Sequence, residues 1–183
     1  MTLPFFTIGH STHSLEEFAA LLKASGVQRV VDIRKMPGSR QFPQFDEAAL
    51  IRSLPAFGMT YEHVPALGGL RGKSHDVAPD TNAWWENDSF HRYADYACTS
   101  AFADGLAHLM AVGRRERCAL MCSEVLWWRC HRRIVTDHLL ARGRAVWHIM
   151  GPGKIEAAHL SEGAVVREGG AVSYPAAAVT AAR

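Results

Sequence analysis

Residues 118–143 read CALMCSEVLWWRCHRRIVTDHLLARG. Cys118 to Cys122 is an unbroken apolar run, the pattern of a strand covered on both faces rather than one. From Arg129 to Arg142 the spacing is helical, with Ile134, Val135, Leu139 and Leu140 turned inward, and Gly143 supplies the stop. Ala145 to Met150 (AVWHIM) then forms another buried strand. A strand, a helix and a second buried strand in close succession make a β-α-β unit, and such units imply a parallel sheet.

The rest of the chain repeats the unit. Phe5 to His10 is a short apolar strand that closes on Gly9-His10-Ser11. Ser14 stands where a helix cap would, with Glu17 three residues on, and Leu15, Phe18, Leu21 and Leu22 share one face of the helix that Gly26 ends. Arg29 to Arg34 (RVVDIR) is the next strand. Met36 to Phe45 is a loop rich in Pro and Gly. Asp46 is placed to cap a helix running through Leu54, and Thr60 to Val64 is a third strand. Leu67 to Trp85 lacks periodicity, and a loop that long inside a compact domain tends to serve function. Ser89 to Val112 reads as one long helix. The alternation predicts an α/β fold: a mostly parallel sheet of about five strands with helices on both faces. Residues 1–160 form the single α/β domain. Residues 161–183 form a C-terminal extension, with a small hairpin around Val165 to Ser173 and an Ala-rich tail from Tyr174 that frays.

Composition sets limits. At 183 residues, 48% hydrophobic and 21% charged, the chain is long enough to bury one core and too apolar to be disordered. A net charge of +2 neither demands nor excludes a nucleic-acid partner. The first residues lack the basic and apolar blocks of a secretory signal, and no run suits a membrane span, so a cytoplasmic protein without membrane contact is expected. In that setting Cys98, Cys118, Cys122 and Cys130 read as reduced thiols. There is no Walker loop, no G-x-G-x-x-G and no G-x-S-x-G elbow.

The chemistry-bearing residues gather where ligands bind in such sheets, beyond the carboxyl ends of the strands. His10 and Ser11 follow the first strand, Asp32 and Arg34 end the second, Cys122 and Glu124 end the strand quoted above, and Cys130, His131 and Arg132 open the helix after it. Three chemistries compete. Cys122, Cys130 and His131 suit zinc or iron, although an eight-residue spacing with no C-x-x-C pair argues against a structural zinc. Cys130, at a helix start among Arg129, Arg132 and His131, suits a reactive thiolate, and packing under the helix is the plain alternative. Glu124 suits a general base or nucleophile, against a salt bridge to Arg132 or Arg133. Asp32 orients His10 or binds a substrate hydroxyl, or else pairs with Arg34. Lys35, Arg71, Lys73, Arg129 and Arg133, interleaved with Phe42, Phe45, Trp84, Trp85, Trp127 and Trp128, join Arg34 and Arg40 in a basic, aromatic surround suited to nucleotides.

The segments TIGHSTHSLEEF, VVDIRKMPGSRQFPQF, YEHVPALGG, FHRYADYACTSAF and LMCSEVLWWRCHRRIVTDHLL, in that order, resemble the family called domain of unknown function 488. The resemblance implies a cytosolic α/β protein of bacterial or archaeal type, with a loose association with DNA repair. It carries over His10, Ser11, Asp32, Arg34, Pro37, Ser39, Arg40, Gly68, Gly69, Cys122, Glu124, Cys130, His131 and Arg132 as shared positions. The leading expectation is an enzyme acting on a nucleotide or nucleic acid at a glycosidic or phosphate-linked bond. In it Glu124 is the acid/base or nucleophile, and Asp32, His10 and Cys130 are further catalytic candidates. Ser11, Arg34, Ser39, Arg40 and Arg132 hold substrate or phosphate. Two alternatives stand beside it: a metal- or thiol-dependent enzyme using Cys122, Cys130 and His131, and a nucleic-acid-binding module without catalysis.

Overall fold

The computed structural model describes residues 2–176. Five strands run parallel at the centre: β1 (Phe5–Gly9), β2 (Arg29–Asp32), β3 (Thr60–His63), β4 (Cys118–Cys122) and β5 (Val146–Gly151). A sixth strand, β6 (Lys154–Ala157), folds back antiparallel on β5, giving the order β3-β2-β4-β1-β5-β6. This strand adds one to the expected five; Lys154 and Glu156 make it an exposed edge strand with no apolar run. A small antiparallel pair, β7 (Val165–Val166) and β8 (Val172–Ser173), completes the fold.

Strand alternation divides the core in two. On one face Phe6, Ile8, Val30, Ala119 and Met121 meet α1 (Leu15–Ala24) and α2 (Glu47–Ser53). On the other, Phe5, Val31, Cys118 and Leu120 meet α3 (Asp88–Tyr96), α4 (Ser100–Val112) and α5 (Arg132–Leu140). All five residues of β4 are buried, as its composition required, because β4 lies between β1 and β2 and is covered on both faces.

Several boundaries differ from expectation. Ser14 and Glu17 do form a reciprocal capping box at α1. Asp46 takes the cap position of α2, but its carboxylate makes no cap bond and instead accepts from the Ser39 amide, pinning the 36–45 loop. The helix expected over Ser89–Val112 is two helices. Thr99 is extended and its hydroxyl accepts from the Phe102 amide, so a new helix starts there. The helix read from Arg129 begins at Arg132, since Cys130 is extended and a short 3-10 turn occupies Trp127–Arg129. Tyr174 does not fray: it is fully buried, and its hydroxyl donates to Asp137 at 2.8 Å. The remainder of the expected tail, residues 177–183, lies outside the described residues.

Among the described residues no helix is long and apolar enough to cross a membrane. The topology also locates the site. From β1 the chain passes through α1 toward β2 on one side of the sheet's centre, and from β4 it passes through α5 toward β5 on the other. Neighbouring strands whose connections leave in opposite directions open a crevice at their carboxyl ends. Here that crevice lies between His10-Ser11 and Cys122-Glu124.

Candidate active site

A cleft of about 900 Å³ occupies this crevice. His10, Ser11, Arg34, Ser39, Cys122, Glu124, Cys130 and His131 all line it, together with Lys35, Gly69, Phe90 and Arg129. Asp32, Arg40 and Arg132 do not. Asp32 is fully buried below the cleft. It accepts from the Arg34 backbone amide (2.9 Å), from Arg34 Nε (2.9 Å) and Nη2 (2.6 Å), and from the Tyr61 hydroxyl (2.7 Å). This is the ion-pair alternative, and it leaves the carboxylate no face for a substrate hydroxyl. Arg132 is 1% exposed. Its guanidinium donates to the carbonyls of Glu124 and Val125 and to Cys130 Sγ (3.3 Å), so it holds the wall rather than a phosphate. Arg40 is exposed outside the cleft. Arg71 is turned to the Pro65 and Gly68 carbonyls, and Arg133 to Ser161.

Arg34 links the buried pair to the cleft. Burial works against its charge, and the Asp32 hydrogen bonds and carboxylate overcome that, holding the guanidinium above its usual range. Nη2 also donates to the Pro37 and Phe45 carbonyls, which fixes the loop after β2. Nη1 faces His10 Nε2 at 3.5 Å. His10 Nδ1 lies 3.0 Å from the Ser11 carbonyl, which can only accept, so Nδ1 carries the proton and Nε2 is the bare acceptor. Burial, reinforced by the Arg34 charge, lowers the His10 pKa. The ring stacks on Phe45 at 4.2 Å. His10 is thus a fixed, neutral wall residue. Ser11 beside it has φ 47, a left-handed conformation uncommon outside glycine, held where its amide donates to the Ser123 carbonyl. Gly9 permits this close approach: a Cβ there would meet the Glu124 carbonyl oxygen and lie 2.6 Å from the Glu124 carbonyl carbon.

On the opposite wall three soft ligands converge. Cys122 Sγ, Cys130 Sγ and one ring nitrogen of His131 all lie within 4.8 Å of one another. His131 Nε2 donates to the Ile33 carbonyl at 2.8 Å, so Nδ1 is the nitrogen that faces Cys130 Sγ, at 3.6 Å. Burial alone would push the Cys130 thiol up. Its hydrogen bond with Cys122 and the Arg132 guanidinium outweigh burial and bring it to about 6. The same bond, aided by burial, pushes Cys122 up to about 12. Of the two sulfurs, Cys130 is the one that ionises more readily. Cys98 and Cys118 are also free thiols and lie elsewhere.

Glu124 is exposed on the cleft, and one carboxylate oxygen accepts from the Leu126 amide at 3.2 Å. The expected bridge to Arg132 is absent, because Arg132 takes the Glu124 backbone carbonyl instead. Lys35 reaches the Leu70 carbonyl across the mouth, and Arg129 is exposed on the rim. Trp127 is half-buried and stacks on His148 at 4.3 Å, while Trp128 is exposed, so neither ring belongs to the core. Sequence reasoning passed over Tyr61, Phe90 and the Ile33 carbonyl. Nothing local marks them; each matters only through the strand register or the return of α3 over the sheet edge.

The sequence model of the family described as Domain of unknown function DUF488 matches residues 14–139, well over half of the chain, and the protein belongs to that family. No curated protein and no solved structure matches the chain.

Proposed function

We propose that this member of the DUF488 family is an enzyme whose reaction centre is the Cys122–Cys130–His131 cluster, acting on an anionic substrate of nucleotide type. One observation carries the reading: two thiols and an imidazole converge on the wall of the main cleft, with Arg132 donating to Cys130 Sγ from behind. Structural cysteines in a reduced core have no call for such company, and reactive ones depend on it. The carboxylate-centred alternative is weaker. Of its two acids, Asp32 is consumed by Arg34 and Tyr61, and of its phosphate holders Arg132 is buried and Arg40 stands outside the cleft.

The substrate class follows from the walls. Lys35 and Arg129 place exposed positive charge on the cleft lining, and Arg34 is a buried, fixed cation on the same lining. Phe42 and Phe90 line the same cleft. Cations and aromatic rings around one cavity suit a phosphate joined to a base. Glu124, the one acidic side chain on the lining among the described residues, is available to move a proton. The test is turnover. Nucleoside mono-, di- and triphosphates and short single strands are incubated with purified protein and analysed by mass spectrometry. Conversion of at least one, abolished in Cys130→Ser and reduced through a higher KM in Arg129→Ala, supports the reading. Conversion that survives Cys130→Ser, or no conversion of any of them, overturns it.

A further inference from the structure

We propose that Cys122 Sγ, Cys130 Sγ and His131 Nδ1 are three ligands of a resident zinc-class metal ion whose fourth coordination position faces the cleft. This deepens the proposed function by naming the cofactor of that cluster.

The tautomer of His131 is the first argument. A backbone carbonyl can only accept, so Ile33 fixes the proton on Nε2 and leaves the Nδ1 lone pair pointing at Cys130 Sγ, 3.6 Å away. That lone pair takes either the Cys130 S–H proton or a cation that binds both atoms, and the separation suits both. An imidazole whose far nitrogen is tied to a carbonyl is the usual arrangement of a metal-bound histidine.

The dimensions are the second. Zinc–sulfur and zinc–nitrogen bonds of about 2.3 and 2.0–2.1 Å in a tetrahedron place sulfur and nitrogen about 3.6 Å apart and two sulfurs about 3.8 Å apart. The observed sulfur–nitrogen separation matches, and the whole set falls within 4.8 Å. Two thiolates neutralise a dication, so the filled centre carries no net charge where Cys122 and Cys130 are 8% and 5% exposed. Arg132 Nε supplies an outer hydrogen bond to one sulfur.

The third is space. Gly69 lies against the imidazole, where a Cβ would come 2.9 Å from Nδ1, and no positive φ at Gly69 requires glycine. A Cβ there would sit over the ring face beside Nδ1, so glycine lets the chain pack on the imidazole, and the open side of the cluster is the cleft that Cys122, Cys130 and His131 line. Three protein ligands and an open side are the pattern of a catalytic rather than a structural zinc. Soft thiolates with one imidazole select zinc or another thiophilic ion over magnesium or calcium.

The experiment measures metal in the intact protein, expressed with zinc in the medium and purified without chelator. One zinc per chain by elemental analysis is expected, falling at least tenfold in Cys130→Ser and in His131→Asn and unchanged in Cys98→Ser, whose thiol lies elsewhere. Cobalt added to the metal-free protein is expected to give a thiolate-to-cobalt charge-transfer band and the intense visible bands of a tetrahedral ion. This readout does not depend on turnover, and it stays usable if a variant folds poorly. Substoichiometric zinc with no cobalt spectrum overturns the proposal, as does zinc retained in Cys130→Ser. The two readings fail separately: a metal-free protein whose turnover still requires Cys130 leaves the cluster as the reaction centre and removes the ion. A zinc protein with no turnover does the reverse.

Discussion

Replacing Asp32 by Asn removes one charge from the base of the cleft and changes almost no volume. In the native protein the carboxylate receives four donors: the Arg34 amide, Arg34 Nε and Nη2, and the Tyr61 hydroxyl. An amide at this position keeps one acceptor oxygen and turns an NH2 group toward a guanidinium that is itself 6% exposed. Breaking a buried ion pair by removing one partner costs about 3–5 kcal/mol, because the remaining charge stays buried without a counter-ion. Arg34 Nη2 retains the Pro37 and Phe45 carbonyls, which puts the expected loss at the lower end, about 3 kcal/mol. Urea unfolding at pH 7 reads this directly. With a slope of about 2 kcal/mol per molar, the midpoint moves down by roughly 1.5 M. The double variant Asp32→Asn/Arg34→Met removes both charges, so its loss is smaller than the sum of the single losses by about 2 kcal/mol or more. A loss below about 1 kcal/mol for Asp32→Asn, or strict additivity in the cycle, would show that Asp32 does not hold Arg34 in place. In that case the substrate-binding role suggested by its position at a strand end would return.

Further consequences test the cleft walls and the interior. Gly9→Ala drives a Cβ into the backbone of Glu124 and Val125, which cannot swing aside as a side chain would, so a loss of about 2 kcal/mol or more is expected in thermal unfolding. Gly72→Ala, with nothing within 4 Å, is the control and stays within about 0.5 kcal/mol. Equal effects of the two would contradict the close approach of β1 to the Glu124 loop. Burial lowers His138 to about 3 and His148 to about 4. The unfolded chain therefore binds their protons from about pH 6.5 downward while the folded chain refuses them. Stability falls as pH falls, by about 2 kcal/mol per histidine between pH 7.5 and 5. His138→Leu is expected to remove about 2 kcal/mol of that change, and a stability that is flat over this window would contradict the burial of neutral rings.

What the sequence displayed and what it hid follow from the range of the interactions. The run CALMC and the spacing of Ile134, Val135 and Leu139 encode burial locally, and β4 and α5 were legible from them. The capping box at Ser14 and Glu17 is equally local. The break at Thr99 was hidden because the apolar period continues through it, and only the hydroxyl bond to Phe102 restarts the helix. The edge strand β6 was hidden because half-exposed strands carry no continuous apolar signal. The gathering of His10, Ser11, Arg34, Cys122, Glu124, Cys130 and His131 at one sheet edge followed from alternation alone. Their roles did not. Asp32 and Arg132 look solvent-facing in a linear reading; Asp32 is buried because Tyr61 arrives from β3, and Arg132 because the turn from Glu124 to Cys130 folds the Glu124 and Val125 carbonyls back onto its guanidinium. The carbonyl that sets the His131 tautomer belongs to Ile33, 98 positions away.

The central claim is that the crevice between the ends of β1 and β4 is where this protein meets its substrate. Titration of the isotope-labelled protein with adenosine monophosphate at low salt, followed by amide chemical shifts, tests it most directly. The account predicts that the perturbed amides gather at Ser11, Lys35, Gly69, Ser123 and Cys130. Perturbations that gather instead in the groove between α1 and the β5–β6 hairpin, at His13, Leu21 and Gly153, or that appear nowhere, would contradict it.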